Sequence, residues 1–256
     1  MAESPVAGTP VWVDLSSADP AGSRAFYSGL FGWDVQVSPD PQYGGYAMAQ
    51  IDGKDVAGIG PTMAPQAPTA WMIYLAAVDA EAVARAVGEA GGRVVAPPFE
   101  VGDQGRMAVF QDPAGAFISV WQPAAMSGFA TDLPNGFAWA ELNARGIDAD
   151  IAFYERVFGW AHRSQPMGEG MPPYIEFQLG GTSVAGGMEM NPMVPAGVPS
   201  YWMVYFRVAD VDGMFQAALA AGAREMLAPQ DFPGGRFAIL GDPQGAVFGL
   251  MRMSAR

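Results

Sequence analysis

The chain contains no cysteine, a single histidine (His162) and a single lysine (Lys54) among its 256 residues. Without cysteine there is no disulfide framework, no thiolate metal site and no thiol nucleophile. One histidine cannot build a multi-histidine iron or zinc site. His162 follows a Phe-Gly-Trp run at a strand edge and reads as a solvent-facing or core residue. Basic residues are scarce, 13 against 26 acids, which gives a net charge of −13 with no basic cluster anywhere. Nucleic acid is therefore not an expected partner, because its binders concentrate positive charge on at least one face. The acidity serves either solubility or the attraction of a cationic ligand. No apolar run approaches the roughly 18 residues of a membrane span, so no membrane partner is expected. Residues 1–10 lack the basic patch and apolar stretch of a signal peptide. A cytoplasmic location is the expectation.

What the chain does have is an internal duplication. Trp12-Val13-Asp14-Leu15 returns as Trp139-Ala140-Glu141-Leu142, and Phe26-Tyr27 as Phe153-Tyr154. Phe31-Gly32-Trp33 returns as Phe158-Gly159-Trp160, and Trp71-Met72-Ile73-Tyr74 as Trp202-Met203-Val204-Tyr205. Arg106 and Asp112-Pro113-Ala114-Gly115 return as Arg236 and Asp242-Pro243-Gln244-Gly245. The offset is 127 residues at Trp12/Trp139 and 131 at Trp71/Trp202. A register held that long marks two copies of one unit, placed at 10–122 and 136–253 with a linker at 123–135. Two irregular stretches rich in Pro and Met, 60–69 and 187–200, occupy matching places and are long enough to fold over a site.

Within each half the hydrophobic period alternates between strand and helix. Residues 11–16 read as a strand. Asp19-Pro20 is an N-cap and first-turn signal, and Phe26/Leu30 and Tyr27/Phe31 stack four apart on a helix that Gly32 ends. Three short strands follow, near 34–37, 46–51 and 56–59. The pattern then restarts with a strand at 70–76, a helix over about 80–90, and three more strands ending at 117–121. Each half is thus βαβββ twice, an α+β fold with a curved mixed sheet and helices on one face.

In their order and spacing, Asp19, Phe26-Tyr27, Phe31-Gly32-Trp33, Gly91-Gly92 and Asp112-Pro113-Ala114-Gly115, matched by the second half, resemble the vicinal oxygen chelate superfamily. That superfamily includes glyoxalase I, extradiol dioxygenases, fosfomycin-resistance enzymes and bleomycin-binding proteins. The resemblance spans nearly the whole chain and implies a curved sheet enclosing a cup in each half. It also implies metal ligands (His, Gln or Glu) at four places per half. Those places hold Trp12, a position near Gly58, Met72 and Ser119 in the first half. In the second they hold Trp139, a position near Gly186, Met203 and Gly249. Such residues do not bind the divalent metals these enzymes use, so neither a metal nor another cofactor is expected. Glu189 is the one carboxylate near a ligand place.

Strand alternation nominates the residues that line the cups. They are Trp12, Asp14, Tyr46, Met48, Met72, Tyr74, Phe117, Ser119 and Trp121 in the first half. In the second they are Trp139, Glu141, Tyr174, Glu176, Met203, Tyr205 and Arg207. This aromatic, Met-rich lining with a few carboxylates suits a small aromatic or hydrophobic metabolite; the same aromatics could equally fill the cups as core. Two functions follow. One is metal-independent binding, in sequestration or self-resistance of the bleomycin-resistance kind. The other is a metal-independent isomerase, lyase or cyclase of secondary metabolism, with Asp14 or Glu141 as acid/base. A metal-dependent glyoxalase or dioxygenase ranks behind both. Arg106 and Arg236 either touch the ligand or anchor loops. The partner is a small organic molecule, and the chain is a monomer or a homodimer.

Overall fold

A computed structural model describes residues 5–64, 67–168 and 170–254. Part of the N-terminal stretch judged above, and Pro65 and Gln66 of the first Pro- and Met-rich stretch, lie outside the described residues. The first half contains β1 (Pro10–Ser17), α1 (Pro20–Phe31), β2 (Asp34–Val37), β3 (Ala47–Ile51), β4 (Lys54–Pro61), β5 (Ala70–Ala76), α2 (Ala80–Glu89), β6 (Arg93–Val101), β7 (Gly105–Gln111) and β8 (Phe117–Pro123). The second contains β9 (Phe137–Ala144), α3 (Ile147–Phe158), β10 (Ala161–Gln165), β11 (Tyr174–Leu179), β12 (Thr182–Glu189), β13 (Tyr201–Arg207), α4 (Val211–Ala220), β14 (Arg224–Phe232), β15 (Gly235–Gly241) and β16 (Val247–Met253). Each half is βαβββ twice, and its eight strands form one mixed sheet, in the order β2-β3-β4-β1-β5-β8-β7-β6 and its counterpart β10-β11-β12-β9-β13-β16-β15-β14. The α+β expectation holds.

Local chemistry accounts for the helix ends. Asp19 accepts from the Gly22 amide at 3.0 Å, Pro20 opens α1, and Gly32 closes it with φ 71°, a conformation that costs glycine little. In α3 the N-cap is Gly146, which has no side chain to offer. Glu189, at the end of β12, supplies the missing acceptor: its carboxylate takes the amides of Gly146 and Ile147 at 3.0 Å. The carboxylate near a ligand place is thus occupied as a borrowed helix cap at the positive end of the dipole.

The chain divides into two compact units, each drawn from both halves of the sequence. One contains residues 1–12, 73–128 and 139–202; the other contains 13–72, 129–138 and 203–256. In the second unit the Tyr27 hydroxyl donates to Asp242 Oδ2 at 3.0 Å and accepts from Trp71 Nε1 at 3.0 Å. Phe31, Trp33, Phe206 and Phe248 pack around that tyrosine, with ring centroids 5.0–6.5 Å apart. In the first unit Tyr154 donates to Asp112 Oδ2 at 3.0 Å, accepts from Trp202 at 2.8 Å and stacks on Trp160 at 5.0 Å. The repeated Phe-Tyr, Phe-Gly-Trp and Asp-Pro-x-Gly signatures are therefore one buried polar-aromatic core, made twice by residues from opposite halves. Asp112 and Asp242 also hold their own turns, accepting from the Ala116 and Ala246 amides at 2.7 and 2.8 Å.

At one matched position only one of the two cores carries a carboxylate. In one, Ser23 bonds Ser17 at 2.7 Å and Gln244 at 3.4 Å. In the other that position is Asp150, fully buried, with Oδ1 accepting from the Ala114 amide at 3.0 Å and Oδ2 lacking a hydrogen bond. Burial, then the charge of Asp112, lifts the Asp150 pKa to about 7, and burial lifts that of Asp112 to about 6. The segment joining the halves is tied down: Asn135 receives Trp33 Nε1 on its carbonyl at 2.9 Å and donates to the Phe31 and Arg207 carbonyls at 3.0 and 2.7 Å.

Candidate functional site

The carboxylates of the first strand of each half stand in the same local frame. Asp14 on β1 is register partner of Gly58 on the parallel β4, and Glu141 on β9 is partner of Gly186 on β12. Glycine at these two places is required by what lies above it. A Cβ on Gly58 would run into the Tyr46 hydroxyl, and one on Gly186 into that of Tyr174. Tyr46 Oη donates to Asp14 Oδ2 at 3.2 Å. Tyr174 bonds Glu141 and accepts from Trp139 Nε1 at 2.9 Å. Each half thus carries a carboxylate–tyrosine pair seated over a bare glycine.

The second copy is the more elaborate. Asn143, two residues along β9 and so on the same face, gives its amide to Glu141 Oε1 at 3.3 Å. Tyr201 at the start of β13 lies close enough for the charge of Glu141, after burial, to raise its pKa. Burial and then Glu141 push the Tyr174 phenol well above its ordinary value, so it remains a protonated donor. Only 8% of Glu141 is exposed, while Trp139, Tyr174, Tyr201 and Met188 are half-buried around it. Glu176 on β11 is engaged differently. Ser183 and Gln165 bond it closely, Gln178 donates at 3.1 Å, Arg163 stands at 3.8 Å, and these contacts lower its pKa.

The other expected lining residues separate by burial. Met48, Met72 and Arg207 are half-buried, and Phe117 is exposed at the strand end. Trp12, Tyr74, Ser119, Trp121, Met203 and Tyr205 are almost wholly closed to solvent. The Tyr205 ring fills the space above Gly249. Ser119 is fully buried, and its hydroxyl has no hydrogen-bond partner. Arg207 pairs with Asp132 at 3.1 Å. Arg106 bridges Glu81 and Glu100 at 3.1 and 2.8 Å, and Arg236 bridges Asp212 and Asp231 at 2.7 and 3.0 Å. Both arginines anchor strands to their own carboxylates. His162 is exposed, with Nδ1 2.6 Å from Glu155. The Pro- and Met-rich stretch 187–200 is strapped by Arg145, whose guanidinium donates to the carbonyls of Val194, Pro195 and Val198 at 2.9–3.4 Å. Two clefts elsewhere, about 450 Å³ beside α1 and α4 and about 260 Å³ beside β5, α2 and α3, have mainly apolar walls, with Asp79 the one charged residue lining them.

Asn143 and Tyr201 were not among the expected residues. Asn143 was within reach of strand periodicity, lying two positions from Glu141. Tyr201 carries no local signal, since its role comes from a strand that starts sixty residues later in sequence.

A metal ion does not fit the residues present. The places implied for ligands hold indoles, thioethers, a buried serine, and glycines lying under tyrosine side chains. Among the described residues no three of His, Cys, Asp and Glu stand together to hold a metal ion. Hard or borderline divalent ions need oxygen or imidazole donors that this arrangement does not assemble. Among the described residues no helix is long and apolar enough to cross a membrane.

Comparison with known proteins agrees with the duplicated fold. The model of the Glyoxalase/Bleomycin resistance protein/Dioxygenase superfamily matches residues 9–120 and again 136–250. The provisionally named glyoxylase CFP32 of Mycobacterium bovis is 41% identical over 252 residues, covering 96% of this chain and 95% of that protein. The anthracycline biosynthesis protein DnrV of Streptomyces peucetius is 38% identical over 263 residues, covering 96% of this chain and 94% of its own length. Among solved structures, the Mn(II)-bound glyoxalase of Novosphingobium aromaticivorans superposes with a TM-score of 0.67 at 19% identity, covering 96% of this chain and 82% of that one. Two matches of the superfamily model and two relatives aligned almost end to end lead to one conclusion: the chain belongs to the Glyoxalase/Bleomycin resistance protein/Dioxygenase superfamily.

Proposed function

We propose that this protein binds a small aromatic organic molecule without a metal ion, with Glu141 as the polar anchor of the site. The observation that carries this is the arrangement around that carboxylate. An acid 8% exposed is held by Asn143 and Tyr174 and flanked by half-buried Trp139 and Tyr201. Aromatic side chains around one well-placed polar group are the usual composition of a small-molecule site, and ring stacking there contributes about 0.5–1.5 kcal/mol per pair beyond burial. The name of the Streptomyces peucetius relative, an anthracycline biosynthesis protein, supports a polycyclic aromatic ligand and a setting in secondary metabolism. The partner is that molecule, and the setting is the cytoplasm. Titration of candidate aromatics against the intrinsic tryptophan fluorescence, with the compound recovered afterwards, tests the proposal. Saturable quenching with the compound unchanged supports binding; no saturable signal from any polycyclic aromatic refutes it.

A second function, a metal-independent enzyme with Glu141 as general base, is favoured by the word glyoxylase and the word biosynthesis in the names of the two relatives. A carboxylate held by neutral donors is poised to take a proton from carbon or oxygen. In that case Glu141→Gln abolishes turnover while binding persists; equal turnover by the variant removes the base role.

A further inference from the structure

One corner of the chain, Ala144 to Gly146 between β9 and α3, holds both feet of the loop that joins β12 to β13. The Ala144 carbonyl accepts from the Met190 amide at 2.7 Å, and the Gly146 amide donates to Glu189 at 3.0 Å. The Arg145 amide donates to Ser200 Oγ at 3.1 Å. Met190 and Ser200 are buried, so the feet are fixed. Between them, 191–199 folds as two turns, closed by Val194 N to Asn191 O and Val198 N to Pro195 O, each at 2.9 Å. Among the described residues, the only hydrogen bonds from these turns to the rest of the chain are those of three carbonyls with the Arg145 guanidinium. Arg145 is exposed, so water competes for those bonds and each is readily exchanged. Opening of the turns between their fixed feet is therefore governed by one side chain.

The feet flank the Glu141 carboxylate. Met188, two residues before Met190, is register partner of Asn143, and Tyr201 follows Ser200 directly. The first half is a control within the same chain. Its counterpart of Arg145 is Ala18, whose amide keeps the corner bond, to Thr69 Oγ1 at 3.1 Å, but whose side chain is a methyl. The offset between halves grows from 128 residues at Gly58/Gly186 to 131 at Trp71/Trp202, so the second loop is three residues longer. The longer loop and its arginine clasp occur in the half that sets Asn143 and Tyr201 beside its acid, where the first half has Ser16 and Ala70. Loops of this length in compact domains are commonly lids or binding loops.

We propose that 191–199 is a lid on the Glu141 site and that Arg145 is its latch, a positioning residue. Fastened, Arg145 keeps the two turns beside Met188 and Tyr201 and restricts entry; released, it lets them swing on their feet and opens the site. The inference rests on the binding function proposed above for that site.

Hydrogen exchange and hydrogen peroxide footprinting of the full chain, both read by peptide mass spectrometry, test this without a ligand. In Arg145→Ala the amides of 191–199 should exchange about tenfold or more faster than in the unaltered chain, while those of β9 and α3 keep their rates. Peroxide should oxidise the half-buried Met188 about threefold or more faster. Met190, in a foot, should stay protected, and Met193, 88% exposed, should react alike in both proteins. Arg145→Lys, whose ammonium cannot span three carbonyls, should fall between. Unchanged exchange in 191–199 overturns the latch. Faster exchange with Met188 unchanged overturns the lid, because the turns then open without uncovering the site. Faster exchange through β9 and α3 together with oxidation of Met190 makes Arg145 a merely structural residue and overturns the proposal. Should Arg145→Ala fail to fold, the same two readouts on Arg145→Lys decide. Absence of saturable binding in the fluorescence titrations refutes the binding function by itself, and the two access readouts still decide whether 191–199 covers Glu141.

Discussion

Replacing Asp150 by asparagine should make the protein more stable at alkaline pH and flatten its pH dependence. Asp150 is fully buried beside Asp112, with one oxygen bonded to the Ala114 amide at 3.0 Å and the other bonded to nothing. Its folded-state pKa is about 7, raised by burial and then by Asp112. A free aspartate titrates near ~3.9, so folding favours the protonated acid. The associated stability is complete below about pH 4 and is lost as pH rises through about 7. A difference of about 3 pKa units, at ~1.36 kcal/mol each, sets an upper bound of about 4 kcal/mol. Asparagine keeps the acceptor for Ala114 and carries no charge at any pH. Urea midpoints at pH 5, 6.5 and 8 should fall steeply for the parent and gently for Asp150→Asn, so that the variant is the more stable at pH 8. A residual slope remains from Asp112 and Asp242, whose pKa values burial also raises. Parallel pH profiles for the two proteins would refute the argument.

Three further outcomes follow from described contacts. Glu189→Ala removes the carboxylate that accepts from the Gly146 and Ile147 amides at the start of α3 and should cost about 1–2 kcal/mol, read as a lowered thermal midpoint. Tyr154→Phe leaves the buried Asp112 carboxylate without its hydroxyl donor and Trp202 without its acceptor; a loss of about 2–3 kcal/mol in urea unfolding is expected. Gly186→Ala drives a methyl into the Tyr174 hydroxyl, so ligand binding should drop sharply in titration while far-ultraviolet circular dichroism changes little.

The sequence displayed the fold well because duplication repeats every signal. The Phe-Tyr pair, the glycine after α1 and the Asp-Pro-x-Gly turn each occur twice in one order, and the alternation that turns Trp12, Asp14, Trp139 and Glu141 to one face leaves Val13, Leu15, Ala140 and Leu142 on the other, where all four are fully buried. What it could not display was pairing at a distance. Tyr27 meets Asp242 across 215 positions, so the aromatic signatures looked like furniture of each half when they are a core shared between halves. Glu189 resembled a stray ligand because a cap borrowed from another strand leaves no mark near the helix it serves. Alternation also says which face a side chain takes and nothing about depth. Trp12 shares a strand and parity with Asp14, Tyr74 with half-buried Met72, and Tyr205 with half-buried Arg207, and yet all three are almost wholly closed to solvent.

The cross-half assembly of each unit has a consequence for how such a chain diverges. A lone half would need a second copy of itself to supply the aspartate for its own tyrosine, and both resulting cores would then be identical by symmetry. Joining the two copies in one polypeptide lifts that constraint. Ser23 and Asp150 can drift apart, as can Met48 and Glu176, and one carboxylate–tyrosine pair can be specialised while its twin is kept for support.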